Sequence, residues 1–151
     1  LARAMELAVE AVGSETRRMA ALRDRMEHRI IDAVEGAFRN GDADHRLPNT
    51  SNLSFEAVEI NALLASLPDL ALNTGSACTS AHPEPSPVLL AMGVPEELAG
   101  SSLRLSLGRH TTEDEVDRAA ARIVQEVSRL RRLPTRLGRG SHLRSGSRRR
   151  G

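Results

Sequence analysis

Two side chains in this sequence are of a type and setting that could do chemistry. Cys78 is the chain's one cysteine and stands in Gly-Ser-Ala-Cys-Thr-Ser at 75–80, ahead of His82 and prolines at 83, 85 and 87. A lone cysteine is most often a buried, inert small hydrophobe. Nothing in 75–80 is large enough to bury it, so the setting favours an exposed thiol on a loop. Its nucleophilicity depends on the thiolate fraction, and His82, four residues on, is the nearest titratable group that could assist it from within the loop. Arg104 is the second candidate. Residues 102–107, Ser-Leu-Arg-Leu-Ser-Leu, alternate as a strand that sends Leu103, Leu105 and Leu107 to one face and Arg104 to the other. There Arg104 is either a solvated charge or the planar fork that holds a small carboxylate through two parallel hydrogen bonds. His28, His45, His110 and His142 show no metal-ligand spacing, so no metal site is expected. Neither a phosphate-binding loop nor a Gly-x-Ser-x-Gly elbow occurs.

The elements that would hold these residues follow from the hydrophobic pattern. Met5, Ala8, Val12, Met19, Leu22, Met26, Ile30 and Val34 recur mostly every three or four positions, with Arg and Glu between them. That spacing predicts a long amphipathic helix ending near Gly36, its methionine stripe facing a core. Gly13 and Ser14 are expected to interrupt or kink it, because glycine inside a helix costs about 1 kcal/mol relative to alanine. Residues 47–55 alternate in their second half and predict a strand, which Pro48 places at its start or at an edge. Val58, Ala62, Leu63 and Leu67 share a helical face over 58–67, and Pro68 stops that helix. A further strand is predicted at 70–74, running into a loop of small residues and prolines at 75–87. Ser86 as N-cap, Pro87 at the first helical position and Gly93 beyond the end predict a short helix over 87–92. Finally, Thr-Glu-Asp-Glu at 112–115 is a capping box opening a helix to about Leu133, with Val116, Ala120, Ile123, Val127 and Leu130 inward. The order predicts a small α+β or α/β layer with helices packed on a short sheet.

Composition narrows the function. The 151 residues suffice for one domain with a real core. No tryptophan or tyrosine occurs, and Phe38 and Phe55 are the only aromatics, which removes any platform for stacking nucleobases. All 21 basic residues are arginine, so chemistry that needs a side-chain amine cannot be complete in this chain. Charge is unevenly spread: residues 1–133 hold 15 arginines against all 20 acidic residues, a net of −5, whereas residues 134–151 carry +6. The last 18 residues are mostly Gly, Ser and Arg and are expected to be disordered. They read either as a plain solvated extension or as an electrostatic arm for RNA, DNA or an acidic partner. The folded part adds nothing in favour of nucleic acid. No apolar run approaches the roughly 20 residues that cross a bilayer, so no membrane segment or signal peptide is expected. The single cysteine excludes an internal disulfide and fits a cytoplasmic location.

Several of these segments together spell something more specific. Gly-Ser-Ala-Cys-Thr-Ser at 75–80, Glu-Pro-Ser at 84–86, Leu-Arg-Leu-Ser-Leu-Gly-Arg at 103–109 and Thr-Thr-Glu at 111–113 resemble the C-terminal part of the cysteine desulfurases. These are pyridoxal-phosphate enzymes of the class V aminotransferase group. Leu-Pro-Asn-Thr-Ser-Asn-Leu-Ser-Phe at 47–55 resembles the strand that precedes their active-site loop. The form around Cys78 is similar to the subgroup with a long, mobile cysteine loop, which supplies sulfur for iron–sulfur clusters and tRNA thiolation. The resemblance implies an α/β fold-type I transferase of which residues 1–133 are the C-terminal α+β small domain. Within it, 1–35 would be the long interdomain helix, 134–151 would be a disordered tail, and the large domain would lie outside this sequence.

It also implies roles. The residue matching Cys78 takes the sulfur of L-cysteine as a persulfide, leaving L-alanine, and hands it to an iron–sulfur scaffold or sulfur-relay protein. The same thiol would transiently ligate an iron–sulfur cluster, and the position matching Arg104 binds the substrate carboxylate. The complete enzyme is expected to be a homodimer. Pyridoxal 5'-phosphate would be held by the large domain, and no cofactor-binding residue is expected in this chain. Departures accompany the likeness: the chain has no lysine for the Schiff base, His110 stands where an aromatic is common, and Ile60 and Asn61 stand where small and acidic residues are common. A fragment inactive by itself is therefore expected. The rivals are a non-catalytic remnant that accepts sulfur on Cys78 or docks a partner through its basic tail, and a selenocysteine lyase or other class V relative.

Overall fold

The computed structural model describes residues 2–72 and 85–133. Residues 75–84 of the expected loop at 75–87, with Cys78 and His82, and the expected disordered tail at 134–151 lie outside these residues. Eight elements follow one another: α1 (Ala2–Ala33), β1 (Ala37–Arg39), β2 (Thr50–Phe55), α2 (Ile60–Ser66), α3 (Pro87–Ala91), α4 (Glu96–Gly100), β3 (Ser102–Ser106) and α5 (Glu113–Arg132). The expected α+β layer is present: a three-stranded antiparallel sheet in the order β1-β2-β3, with α1 and α5 packed on one face and α4 against one end of the other.

The core lies between that face and two helices. Leu53 and Phe55 of β2, Leu103 and Leu105 of β3 and Ala37 of β1 meet Met26, Ile30 and Val34 of α1 and Val116, Ala120, Ile123 and Val127 of α5. Leu63 and Leu67, in and just after α2, close one side. α1 and α5 run in the same direction, as their cross-links show. Arg18 donates to the Thr111 carbonyl (2.8 Å), Arg25 grips Asp117 through two 2.7 Å bonds, and Arg131 reaches the Glu35 carbonyl (2.6 Å). The hydrogen bond and charge of Asp117 hold the Arg25 guanidinium well above its usual range, and the same bond holds Asp117 below the usual carboxylate range.

α1 runs unbroken through Gly13 and Ser14, against the interruption expected there. A single glycine costs too little to break a helix of 32 residues otherwise rich in Ala, Leu, Glu, Arg and Met. Its apolar stripe is core only from Met19 onward, while Met5, Val9 and Val12 are exposed. The reason is length: α1 extends about 48 Å and α5 about 30 Å, and α5 begins alongside the middle of α1. Gly36 ends the turn after α1 with φ +71°, a conformation that disfavours any Cβ. The capping box at Thr112 and Glu115 forms as expected, and its bonds from Thr112 hold the Glu115 carboxyl below its usual range. α3 begins after Ser86, whose side chain makes no capping bond, and Gly93 closes it with φ +83°.

Three differences from the sequence reading are local. The strand expected at 70–74 is not formed over 70–72, where the Leu70 N–H turns back to the Leu67 carbonyl (3.1 Å), and 73 and 74 lie outside the described residues. β1 and α4 are additional. α2 is shorter than 58–67, because Glu59 caps it by accepting from the N–H groups of Asn61 (3.0 Å) and Ala62 (2.7 Å).

Candidate functional site

With one face of the sheet taken by α1 and α5, the other is covered by α4 at the Ser54 and Ser102 end and opens toward Arg104 and Ser106. Alternation on β3 buries Leu103 and Leu105 and leaves Arg104 and Ser106 exposed on the opposite side. β2 places Asn52 directly across from Arg104 and Thr50 across from Ser106. Arg104 has no hydrogen bond or ion pair among the described residues, although ion pairs engage most of the other arginines of the fold. An unpaired guanidinium on a rigid strand keeps its full hydrogen-bonding fork for a ligand.

The neighbours of Arg104 are tightly ordered. Asn40, just beyond β1, donates from Nδ2 to Asn52 Oδ1 (2.6 Å) and to Ser54 Oγ (2.7 Å), and the Ser54 hydroxyl donates to the Leu98 carbonyl (2.8 Å). Beyond β3, the Gly108 N–H bonds Thr111 Oγ1 (3.0 Å), and Arg18 of α1 binds the carbonyls of Arg109 and Thr111. The turn carrying Arg109 and His110 is thereby fastened to α1.

A buried ionic group supports the strand from the helix side. Glu27 of α1 is 1% exposed and pairs with Arg46 and, at 3.5 Å, with Arg39. Arg46 also bonds Asp24 (2.9 Å), and Arg23 reaches the Leu47 carbonyl (2.7 Å). Burial pushes the Glu27 carboxyl up, but the hydrogen bonds of Arg46 and Ser51 and the charges of Arg46 and Arg39 outweigh it and hold the group below its usual range. Arg46 is correspondingly raised, chiefly by its bond to Glu27. These contacts fix the loop at 40–48 that leads into β2.

No group of three or more His, Cys, Asp or Glu suited to a metal occurs among the described residues. His45 instead closes a loop on Asp42, whose carboxyl is held low by the backbone N–H groups of His45 and Asp44. A cavity of about 760 Å³ lies between residues 69–72 and α5, lined by Leu70, Leu72, Leu105, Leu107 and Arg122 among others. Arg104 is on the other side of β3 from it. Of the sequence candidates, then, Arg104 is placed on an open polar face, while Cys78 and His82 lie outside the described residues. Asn40, Asn52 and Ser54 were not singled out by sequence. The alternation that places Asn52 on this face was readable, but its side-chain partner, Asn40, comes from the turn beyond β1.

The α+β layer agrees with what the chain matches. Residues 1–119 match aminotransferase class V, and the chain belongs to that family. Among curated relatives it is 48% identical over 130 residues to cysteine desulfurase IscS of Ectopseudomonas mendocina (strain ymp) and to that of Azotobacter vinelandii. It is 46% identical to cysteine desulfurase IscS of Escherichia coli O139:H28. In each case the match takes in 86% of this chain and 32% of the relative, so the chain spans about a third of the length of these proteins. Among solved structures, a NifS-like protein superposes with a TM-score of 0.71 at 30% identity, over 85% of this chain and 32% of that one. A NifS-like protein from Rickettsia africae ESF-5 has a TM-score of 0.68 at 21% identity, over 81% and 31%, a likeness of fold alone.

Proposed function

We propose that this chain is the C-terminal small domain of a cysteine desulfurase, in which Arg104 binds the carboxylate of L-cysteine and Cys78 receives its sulfur. The observation that carries this reading is the uncommitted Arg104 guanidinium on the open sheet face, in a family member whose relatives are named cysteine desulfurases. Arg104 orients the substrate by its carboxylate. The Cys78 thiolate then attacks the substrate sulfur. The new S–S bond forms as the substrate C–S bond breaks, the bonding pair goes to carbon, and carbon takes a proton to give L-alanine. Cys78 is left as a persulfide for an iron–sulfur scaffold or sulfur-relay protein, and His82 assists within the loop. Pyridoxal 5'-phosphate, when bound, supplies the electron sink for the substrate carbon. This chain contains no lysine to carry it, so the group would be held by a part of the enzyme outside these 151 residues.

The exposed stripe of Met5, Val9 and Val12 supports reading the start of α1 as an interdomain helix packed on that other part, in a homodimeric enzyme. Among the described residues no helix is long and apolar enough to cross a membrane, and we place the reaction in the cytoplasm. The absence of lysine also favours a second reading, a sulfur acceptor that takes a persulfide on Cys78 from a separate enzyme.

The test is to isolate the protein bearing this sequence, supply L-cysteine and pyridoxal 5'-phosphate, and measure both alanine and the mass of the peptide containing Cys78. Alanine release with a persulfide that vanishes in Cys78→Ser supports the desulfurase. A persulfide formed only with an added desulfurase supports the acceptor. Neither product, in wild-type protein, refutes both.

A further inference from the structure

Asn52 is the direct cross-strand neighbour of Arg104, and the bonds around it leave its amide one orientation. That orientation is set outward from a backbone carbonyl. The Leu98 carbonyl only accepts, so the Ser54 hydroxyl must spend its single proton on it, at 2.8 Å. Ser54 Oγ can then only accept from Asn40, which turns Asn40 Nδ2, and not its oxygen, toward Ser54 at 2.7 Å. The same Nδ2 lies 2.6 Å from the Asn52 amide, whose facing atom must be the acceptor Oδ1. Asn52 Nδ2 is consequently directed away from Asn40, with two N–H groups and no partner among the described residues.

Its place relative to Arg104 follows from the ladder. Leu107 N bonds the Asn49 carbonyl (2.8 Å) and Phe55 N bonds the Ser101 carbonyl (3.1 Å), so the hydrogen-bonded pairs fall on odd-numbered residues. Asn52 and Arg104 are therefore a non-hydrogen-bonded pair, with side chains on one face and Cβ atoms about 4.5–5.5 Å apart. An amide NH₂ and a guanidinium fork, both uncommitted and adjacent, call for a planar anion with two oxygens, and a carboxylate is that group.

We propose that Asn52 is a second carboxylate-binding residue beside Arg104, and that Asn40 and Ser54 are positioning residues that fix which end of its amide faces the ligand. This rests on the assignment of Arg104 to the substrate carboxylate. The neutral donor adds direction to a charge that would attract any anion.

The experiment titrates L-alanine, an amino acid without reactive sulfur, into the isotope-labelled full chain while the Asn52 side-chain amide and the Arg104 Nε–H are followed by NMR. Both resonances should move with one binding constant, and Asn52→Ala should weaken binding about three- to tenfold, as the loss of one neutral donor implies. Asn40→Asp is the sharper variant. With no side-chain N–H at position 40, the introduced carboxylate draws the Asn52 NH₂ to itself and turns Oδ1 toward the ligand, so binding should fall at least as far as in Asn52→Ala. The amide spectrum of each variant reports whether it is folded, and Asn52→Ala stands in should Asn40→Asp unfold. Movement of Arg104 without Asn52, or unchanged binding in Asn40→Asp, overturns the inference and leaves Arg104 in its assigned role. If neither resonance moves, the carboxylate site itself fails. The alanine and persulfide assay, independent of Asn52, then decides whether the desulfurase reading fails with it.

Discussion

Replacing Glu27 by glutamine removes one negative charge from the interior while preserving shape. The carboxylate is 1% exposed and faces two guanidinium groups, Arg46 at one oxygen and Arg39 at 3.5 Å from the other. Breaking a buried pair by removing one partner costs about 3–5 kcal/mol. The low end applies here, because Arg46 keeps Asp24 (2.9 Å) and the Ala43 carbonyl (3.0 Å) as partners and glutamine leaves no cavity. A loss of about 3 kcal/mol, at a urea dependence of about 2 kcal/mol per molar, moves the unfolding midpoint down by about 1.5 M. The chain has no tryptophan or tyrosine, so the transition is followed by far-ultraviolet circular dichroism. The pH dependence is a second signature. Glu27 titrates lower in the folded protein than when unfolded. Its contribution is therefore complete above the unfolded carboxyl pKa of about 4.3 and is lost as pH falls through the lower, folded value. Glu27→Gln should flatten that acid limb as well as lower the midpoint. A midpoint within about 0.3 M of wild type, well inside one kcal/mol, together with an unchanged acid limb, would refute the assignment of this carboxylate as a buried anchor.

Two further expectations separate scaffold from site. Arg104→Ala should leave the unfolding free energy within about 0.5 kcal/mol of wild type, as for an exposed side chain. In the proposed desulfurase it should raise KM for L-cysteine by the equivalent of about 1.5–3 kcal/mol; a destabilised variant with normal KM contradicts both halves. Gly36→Ala should destabilise by at least about 1 kcal/mol, since the position has a left-handed backbone and its new Cβ would come 2.6 Å from Glu56 Oε2. An unfolding midpoint equal to wild type counts against that strain.

How far the fold was legible depended on whether an element declares itself locally. α5 did, through its capping box and a stripe of Val116, Ala120, Ile123 and Val127 that is buried throughout. β3 did, through strict alternation. β1 did not: its three residues become a strand only because Ala37, Phe38 and Arg39 pair with Phe55, Ser54 and Leu53. Residues 70–72 look extended by composition, yet Leu70 and Leu72 pack on the core with no strand ladder. The start of α1 has the same apolar spacing as its end, but burial needs a neighbour and α5 covers only the later turns. At the site, Arg104 stood out by type and alternation. Glu27 did not, because a glutamate on an amphipathic helix reads as surface until Arg39 and Arg46 are known to converge on it. Asn52 had the same obstacle, since the direction of its amide is decided by a serine and a carbonyl 44 positions apart.

The two faces of the sheet explain why these residues answer to different tests. On the helix side, the buried carboxylates meet opposite charges: Glu27 with Arg46, and Glu126 with Arg122 (3.3 Å) and Arg129 (2.5 Å). Such groups are saturated by the fold and have nothing left for a ligand, so their loss is read as stability. On the open side the polar network runs inward to outward, from the Leu98 carbonyl through Ser54 and Asn40 to Asn52, and stops with donors unspent beside Arg104. A network that ends in unspent donors does little for folding, because those groups are already solvated in the unfolded chain. Its cost of ordering is recovered only when an acceptor arrives. Substitutions at the end of that chain should therefore change binding with little change in stability, and substitutions around Glu27 should do the reverse.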